Sequence, residues 1–403
     1  MQITDATGAE ELAVYFTRDK TTAFWDSNRN AYRGSADSTR TPFTIVFVED
    51  WVKWKMGVRD HQRYYTDLPY QLSLRKQCSE YLDAIVGVPL NPAVNLGSTL
   101  FASLFGGDMI YSASSAPWIM PVIKEPSDVR NLMDLTRSDD LLDRGQVKSW
   151  LDGYRLMAES RNSTRLPLFG SYIHGMATLG CMLLGATEFI YFLTDHPDEA
   201  DLLMQIIVDV AIRFMDAMRD FTGESRTGLI IANDDLWLLS PELYSRFCLE
   251  PELRLYDHYT ESLWDMRGYH SDSRCDHHFP ALRELQLTDI NLAPSATVES
   301  LRREFPESVI HGQIAPLPFR EATIQEIAGC VEDIFAMSNH DPGLVLSIVG
   351  CLNEGTPIEN ILAVMWAVEK HGYHERPADF FNGDPSEPGK HLLKGMPMIL
   401  EVE

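Results

Sequence analysis

Residues 269–279 read YHSDSRCDHHF and set three of the chain's twelve histidines beside two aspartates and a cysteine. Imidazole, carboxylate and thiol are the side chains that bind transition metals and move protons near neutral pH. A short strand is expected over Met266–Tyr269. His270 and Asp272 then alternate at its end and point to one side, which suits two ligands of one ion. Cys351 closes a second strand end, after Leu346-Ser347-Ile348-Val349. In a closed barrel the ends of distant strands converge, so His270, Asp272 and Cys351 could share a metal with an open position. Nitrogen, oxygen and sulfur donors together suit zinc. The bland alternative is a hydrogen-bonded His–Asp pair on a loop and a buried cysteine. Cys275 competes as the sulfur ligand, while His277 and His278 read as the start of the next helix, with Asp276 as its N-terminal charge.

A second polar strand end is Asn233-Asp234-Asp235, after Leu229-Ile230-Ile231. Adjacent side chains diverge, so one aspartate faces the barrel mouth and the other caps or is solvated. Asp235 is the candidate for a fourth ligand or a general acid/base. His174 is either a pocket residue or a satisfied core histidine. Trp118, Tyr111, Trp51 and Trp54 offer an aromatic wall for a substrate, although aromatic residues at such spacing are commonly core.

The elements that must position these residues are short apolar runs, each followed by turn residues and a helical pattern: Phe43–Val48, Leu166–Gly170, Gly228–Ala232, Asp289–Leu292, Ser308–His311 and Leu344–Val349. Between them lie amphipathic stretches such as Glu188–Phe221 and Ser240–Asp265. The latter is opened by Ser240 as N-cap and Pro241 in the first turn. The alternation predicts parallel β/α units, and a count of about eight favours closure into an α/β (β/α)8 barrel over an open sheet. The first forty residues lack a long apolar stripe and predict an irregular N-terminal extension over 1–40. The barrel then spans 41–376, and a tail rich in Pro, Gly and Asp forms a C-terminal arm over 377–403.

Composition narrows the partners. A formal charge of −25, from 34 basic and 59 acidic residues, repels phosphate backbones and anionic lipid, so neither nucleic acid nor membrane is expected. The N-terminus shows no basic stretch followed by an apolar run, which predicts a cytoplasmic protein. Six scattered cysteines suggest no disulfide framework. There is no P-loop, no GxGxxG between strand and helix, and no GxSxG elbow, which removes support for nucleotide-dependent and α/β-hydrolase chemistry.

Five stretches in order resemble the uroporphyrinogen decarboxylase superfamily: YYTDLPYQLSLRKQ (64–77), LPLFGSYIHGMATLGCMLLG (166–185), NDDLWLLSPELYSRFCLEPEL (233–253), YHSD (269–272) and GTPIENILAVMWAVEKHG (355–372). The resemblance implies a distorted (β/α)8 barrel and one of two branches. The decarboxylase branch carries an arginine-rich signature close to MRQAGRY for substrate carboxylates; residues 44–56 here read TIVFVEDWVKWKM, without it. The other branch, the corrinoid-linked methyltransferases, carries a His-x-Cys zinc motif and a later cysteine. His270 and Cys351 match its ends, and Asp272 stands in place of the middle cysteine. The harder donor set favours an oxygen over a sulfur methyl donor. The resemblance therefore implies zinc held by His270, Asp272 and Cys351, with Asp235 as a fourth ligand or proton donor. It also implies a small O-methyl substrate, such as an aromatic methyl ether, in a pocket with His174, Trp118 and Tyr111. The chain has no Asp-x-His-x-x-Gly corrinoid motif, so a separate corrinoid protein would bring the cobalt; a homodimer is compatible with this. The alternatives are a metal-independent decarboxylase or lyase, and a non-catalytic binding protein that lost the metal site.

Overall fold

The computed structural model describes residues 8–32, 40–90, 94–112, 115–160, 172–223, 228–261, 265–292 and 295–373. Two compact units make up the chain. The first comprises Met1–Val58, Ser73–Asn91 and Thr288–Glu403, and the second comprises Arg59–Leu72 and Pro92–Leu287.

The N-terminal stretch, expected to be irregular, carries two helices where it is described, α1 (Gly8–Tyr15) and α2 (Arg18–Tyr32). Thr21, Phe24, Trp25, Asn28 and Ala31 of α2 are all buried at helical spacing. Two of these five are polar, which hides the stripe from a hydropathy reading. Asn28 fastens the following segment: its Nδ2 donates to the Phe43 carbonyl, and its Oδ1 accepts from the Phe43 amide. That pair pins the extended chain where a strand is expected over Phe43–Val48. The segment forms only an isolated parallel bridge, Phe43 to Leu346, although Thr44 and Pro42 also bond the backbone of Leu346.

The rest of the first unit is built on parallel strands β6 (Asp289–Leu292), β7 (Val309–Ile314) and β8 (Leu344–Ile348). Apart from Gln313 their residues are buried. β8 is almost wholly apolar, whereas Asp289, Asn291 and His311 interrupt β6 and β7 and bond one another in the interior, His311 Nε2 lying 3.1 Å from Asp289 Oδ1 and Asn291 Nδ2 donating to the His311 carbonyl at 2.9 Å.

In the second unit, Met109–Ile110 (β1) and Trp118–Ile119 (β2) form a short antiparallel pair. Tyr172–His174 (β3), Leu229–Ala232 (β4) and Arg267–Ser271 (β5) lie side by side and parallel. The strand expected over Leu166–Gly170 lies outside the described residues, as does the expected C-terminal arm over 377–403. The helix expected over Glu188–Phe221 is two, Ala186–Asp195 (α3) and Pro197–Thr222 (α4), broken at His196. Pro197 has no amide to continue the first helix and instead starts the second. Ser240 does cap the following helix, its side chain accepting from the Leu243 amide. That stretch too is divided, into Pro241–Phe247 (α5) and Leu249–Tyr259 (α6). Among the described residues no single helix is long and apolar enough to cross a membrane.

Candidate metal and acid/base site

Register places the site. His174 on β3 pairs with Ala232 on β4, and Ala232 pairs with His270 on β5, so the two histidines stand level on either side of a small residue. Paired residues of parallel strands share a face. The ladder continues past β4, the Asn233 amide donating to the His270 carbonyl, before the chain turns into a 3-10 helix over Asp234–Leu238.

This turn decides which aspartate joins His270. Asp234 does: His270 Nε2 lies 3.5 Å from Asp234 Oδ1 and 3.1 Å from Asp272 Oδ1. The Asp272 amide donates to Asp234 Oδ1 at 3.0 Å, which ties the end of β5 to the end of β4. The donor atoms of Asp234, His270 and Asp272 all lie within 4.8 Å of one another. Sequence reasoning gives the ligand role to Asp235 and leaves Asp234 to cap or meet solvent; the structure brings Asp234 into the group instead. His270 is mostly covered, while the Asp234 and Asp272 side chains stay 40% and 48% exposed, so the group is open to an incoming ligand.

The arrangement suits a cation. Two ligand atoms about 2.1 Å from a tetrahedral ion stand roughly 3.4 Å apart, close to the spacing of His270 Nε2 from the two carboxylates. One imidazole and two carboxylates form a set that zinc accepts, harder than one containing thiolate. Withdrawal from water raises the Asp234 carboxyl above its ordinary range. The His270 charge and the Asp272 amide oppose that rise, and the Asp272 charge adds to it.

Asp235 is one residue further along the turn. Its amide donates to Thr178 Oγ1, and burial raises its carboxyl, with the nearby Asp234 charge adding and the Thr178 hydroxyl opposing. His174 is buried, 3.4 Å by Nε2 from the Tyr172 hydroxyl, and burial pulls it down to about 4, with His270 contributing. It is therefore neutral at physiological pH.

The remaining candidates are more scattered. Trp118 lies on β2 with 38% of its surface exposed, and Tyr111 stacks on Tyr65 at 5.9 Å. Trp51 belongs to the core of the first unit, fully buried with its indole N–H donating to the Thr356 carbonyl; as a substrate wall it is corrected to packing. Trp54 is 41% exposed in the same unit. Cys351 follows β8 in the first unit and is half-buried, whereas Cys275 is fully buried. His277 and His278 occupy the 3-10 turn that leads into Phe279–Leu282, as expected. A residue missed from sequence is Glu252, wholly buried in α6. The signal was there: a glutamate three residues after Leu249 and three before Leu255, inside the apolar stripe.

A methyltransferase from Methanosarcina mazei has a similar structure, with a TM-score of 0.63 over 88% of this chain and 99% of that one, at 14% sequence identity. With the parallel strands of both units, this likeness defines an α/β protein of the (β/α)8 barrel class. The chain belongs to the uroporphyrinogen decarboxylase (URO-D) family, whose model matches residues 95–371. No curated protein matches it.

Proposed function

We propose that the chain is a zinc-dependent methyltransferase of the cytoplasm, passing a methyl group from a small O-methyl compound, foremost an aromatic methyl ether, to the cobalt of a separate corrinoid protein. The observation that carries this reading is the cluster of one imidazole and two carboxylates at the ends of β4 and β5, with donor atoms within 4.8 Å of one another. Asp234, His270 and Asp272 would hold the metal. Bound zinc would supply Lewis acidity toward the ether oxygen. The absence of the arginine-rich signature argues against a polycarboxylate substrate, and the fold likeness to a methyltransferase is in keeping with the reading.

Transfer of the methyl group to the corrinoid partner would break the carbon–oxygen bond and leave the bonding electron pair on the oxygen. Asp235, next in the chain to a ligand, gives that oxygen its proton. His174, neutral and level with His270 across Ala232, offers the substrate a hydrogen bond without competing for the cation. Trp118 and Tyr111 would pack against an aromatic ring. The test is elemental analysis of the purified protein together with demethylation of a methyl-ether panel in the presence of a corrinoid protein. About one zinc per chain, with both zinc and activity lost in His270→Ala, is expected. Demethylation that persists in His270→Ala would refute the reading, and turnover with neither metal nor corrinoid protein would favour a decarboxylase or lyase.

A further inference from the structure

Asp234 and His270 are neighbours in sequence of Asn233 and Tyr269, and the latter two lead away from the donor group into one buried network. Asn233 Nδ2 donates to Glu252 Oε1 at 2.9 Å and lies 3.0 Å from the Tyr269 hydroxyl. The Met176 amide also donates to Glu252 Oε1, at 3.0 Å, and the Tyr244 hydroxyl donates to Oε2 at 2.8 Å. Tyr269 adds a further hydrogen bond to Glu252. Asn233 Oδ1 accepts from the Thr178 amide at 3.1 Å. Asn233, Tyr244, Glu252 and Tyr269 are all fully buried.

Alternation along β5 turns Tyr269 to the opposite face from His270. The network therefore grips the ends of β4 and β5 from behind, while the donor group faces forward. The two side-chain oxygens of Glu252 share these donors, Oε1 taking those of Met176 and Asn233 and Oε2 that of Tyr244. The packing around it leaves no slack: a Cβ built on Gly175 would stand 2.4 Å from Asn233 Cγ.

We infer that Glu252 is a positioning residue for the metal-binding group: by clamping Asn233 and Tyr269 it sets the separation of Asp234 and His270. This rests on the metal-binding reading above. Hydrogen-bonded supports of metal ligands commonly change affinity by about 10- to 100-fold when removed. Glu252 acts through one further residue, so the lower end is expected.

The experiment measures zinc affinity of the full chain by competition with a chromophoric chelator, for wild type, Glu252→Leu, Glu252→Gln and Tyr269→Phe, with far-UV circular dichroism as the check on folding. Glu252→Leu and Tyr269→Phe should each weaken zinc about tenfold. Glu252→Gln keeps the oxygen that accepts from Met176 and Asn233 and should stay within about threefold of wild type. Folded Glu252→Leu with wild-type affinity, or a lowered melting temperature at unchanged affinity, would overturn the inference and reduce Glu252 to a structural role. A Gln variant as weak as the Leu variant would overturn it too, by placing the effect in charge rather than geometry. If Glu252→Leu does not fold, Tyr269→Phe decides by the same criterion. Wild type that binds no zinc would sink the metal-binding reading itself and this inference with it, an outcome distinct from variants that match a zinc-binding wild type.

Discussion

Replacing Glu252 by Gln removes one titrating group from the core of the second unit while keeping its size and one acceptor oxygen. Burial pushes the Glu252 carboxyl up from 4.5 to about 7, against the hydrogen bonds from Met176, Tyr244 and Tyr269, which favour the charged form. The folded protein thus holds a proton over a window in which the unfolded chain has released it. A raised carboxyl contributes stability that is fully present below pH 4.5 and is lost as pH rises through about 7. Over that interval the contribution amounts to ~3 kcal/mol. The ionisable groups that face Glu252 are Tyr244, Tyr269 and Cys248, all raised well above their ordinary values, chiefly by burial, so they remain neutral throughout. Gln mimics the protonated acid at every pH. Between about pH 5 and about pH 8, the stability of Glu252→Gln relative to wild type should therefore shift in the variant's favour by ~3 kcal/mol. Parallel urea unfolding of the two proteins, followed by tryptophan fluorescence, reads this difference, in which all other titrating groups cancel. A difference that stays flat across the window, within about 0.5 kcal/mol, would refute the assignment of a raised carboxyl at Glu252.

Asp235→Asn separates proton donation from metal binding: demethylation should fall by about 100-fold while zinc content stays at the wild-type level. Loss of zinc together with activity would make Asp235 a ligand instead. Cys351→Ala removes the sulfur that the family resemblance implies as a ligand but leaves the Asp234, His270 and Asp272 donors in place, so elemental analysis should show zinc at the wild-type level; a clear loss of zinc would refute the one-imidazole, two-carboxylate set.

Where sequence reading succeeded, one physical signal acted alone. β4 and β8 were legible because strands covered on both faces need nearly continuous apolar residues, and Ser240 was legible because an N-cap is a local hydrogen bond. Reading failed where a polar residue sits in the core for a reason found far along the chain. Asn28 breaks the stripe of α2 because it bonds Phe43, and Glu252 interrupts that of α6 because it answers donors on three other elements. The stretch over Glu188–Phe221 divides at Pro197, which lacks the amide that would continue the first helix and opens the second.

By itself the sequence determined the net charge of −25, the barrel class, and the strand end that carries His270 and Asp272. These follow from composition and from side-chain alternation within a few residues. Only the tertiary structure decided that Asp234, rather than Asp235, completes the donor group. Their order along the chain is the same either way. The choice depends on how the 3-10 turn after β4 rotates two adjacent side chains, and on the Asp272 amide that reaches across from β5 to hold one of them.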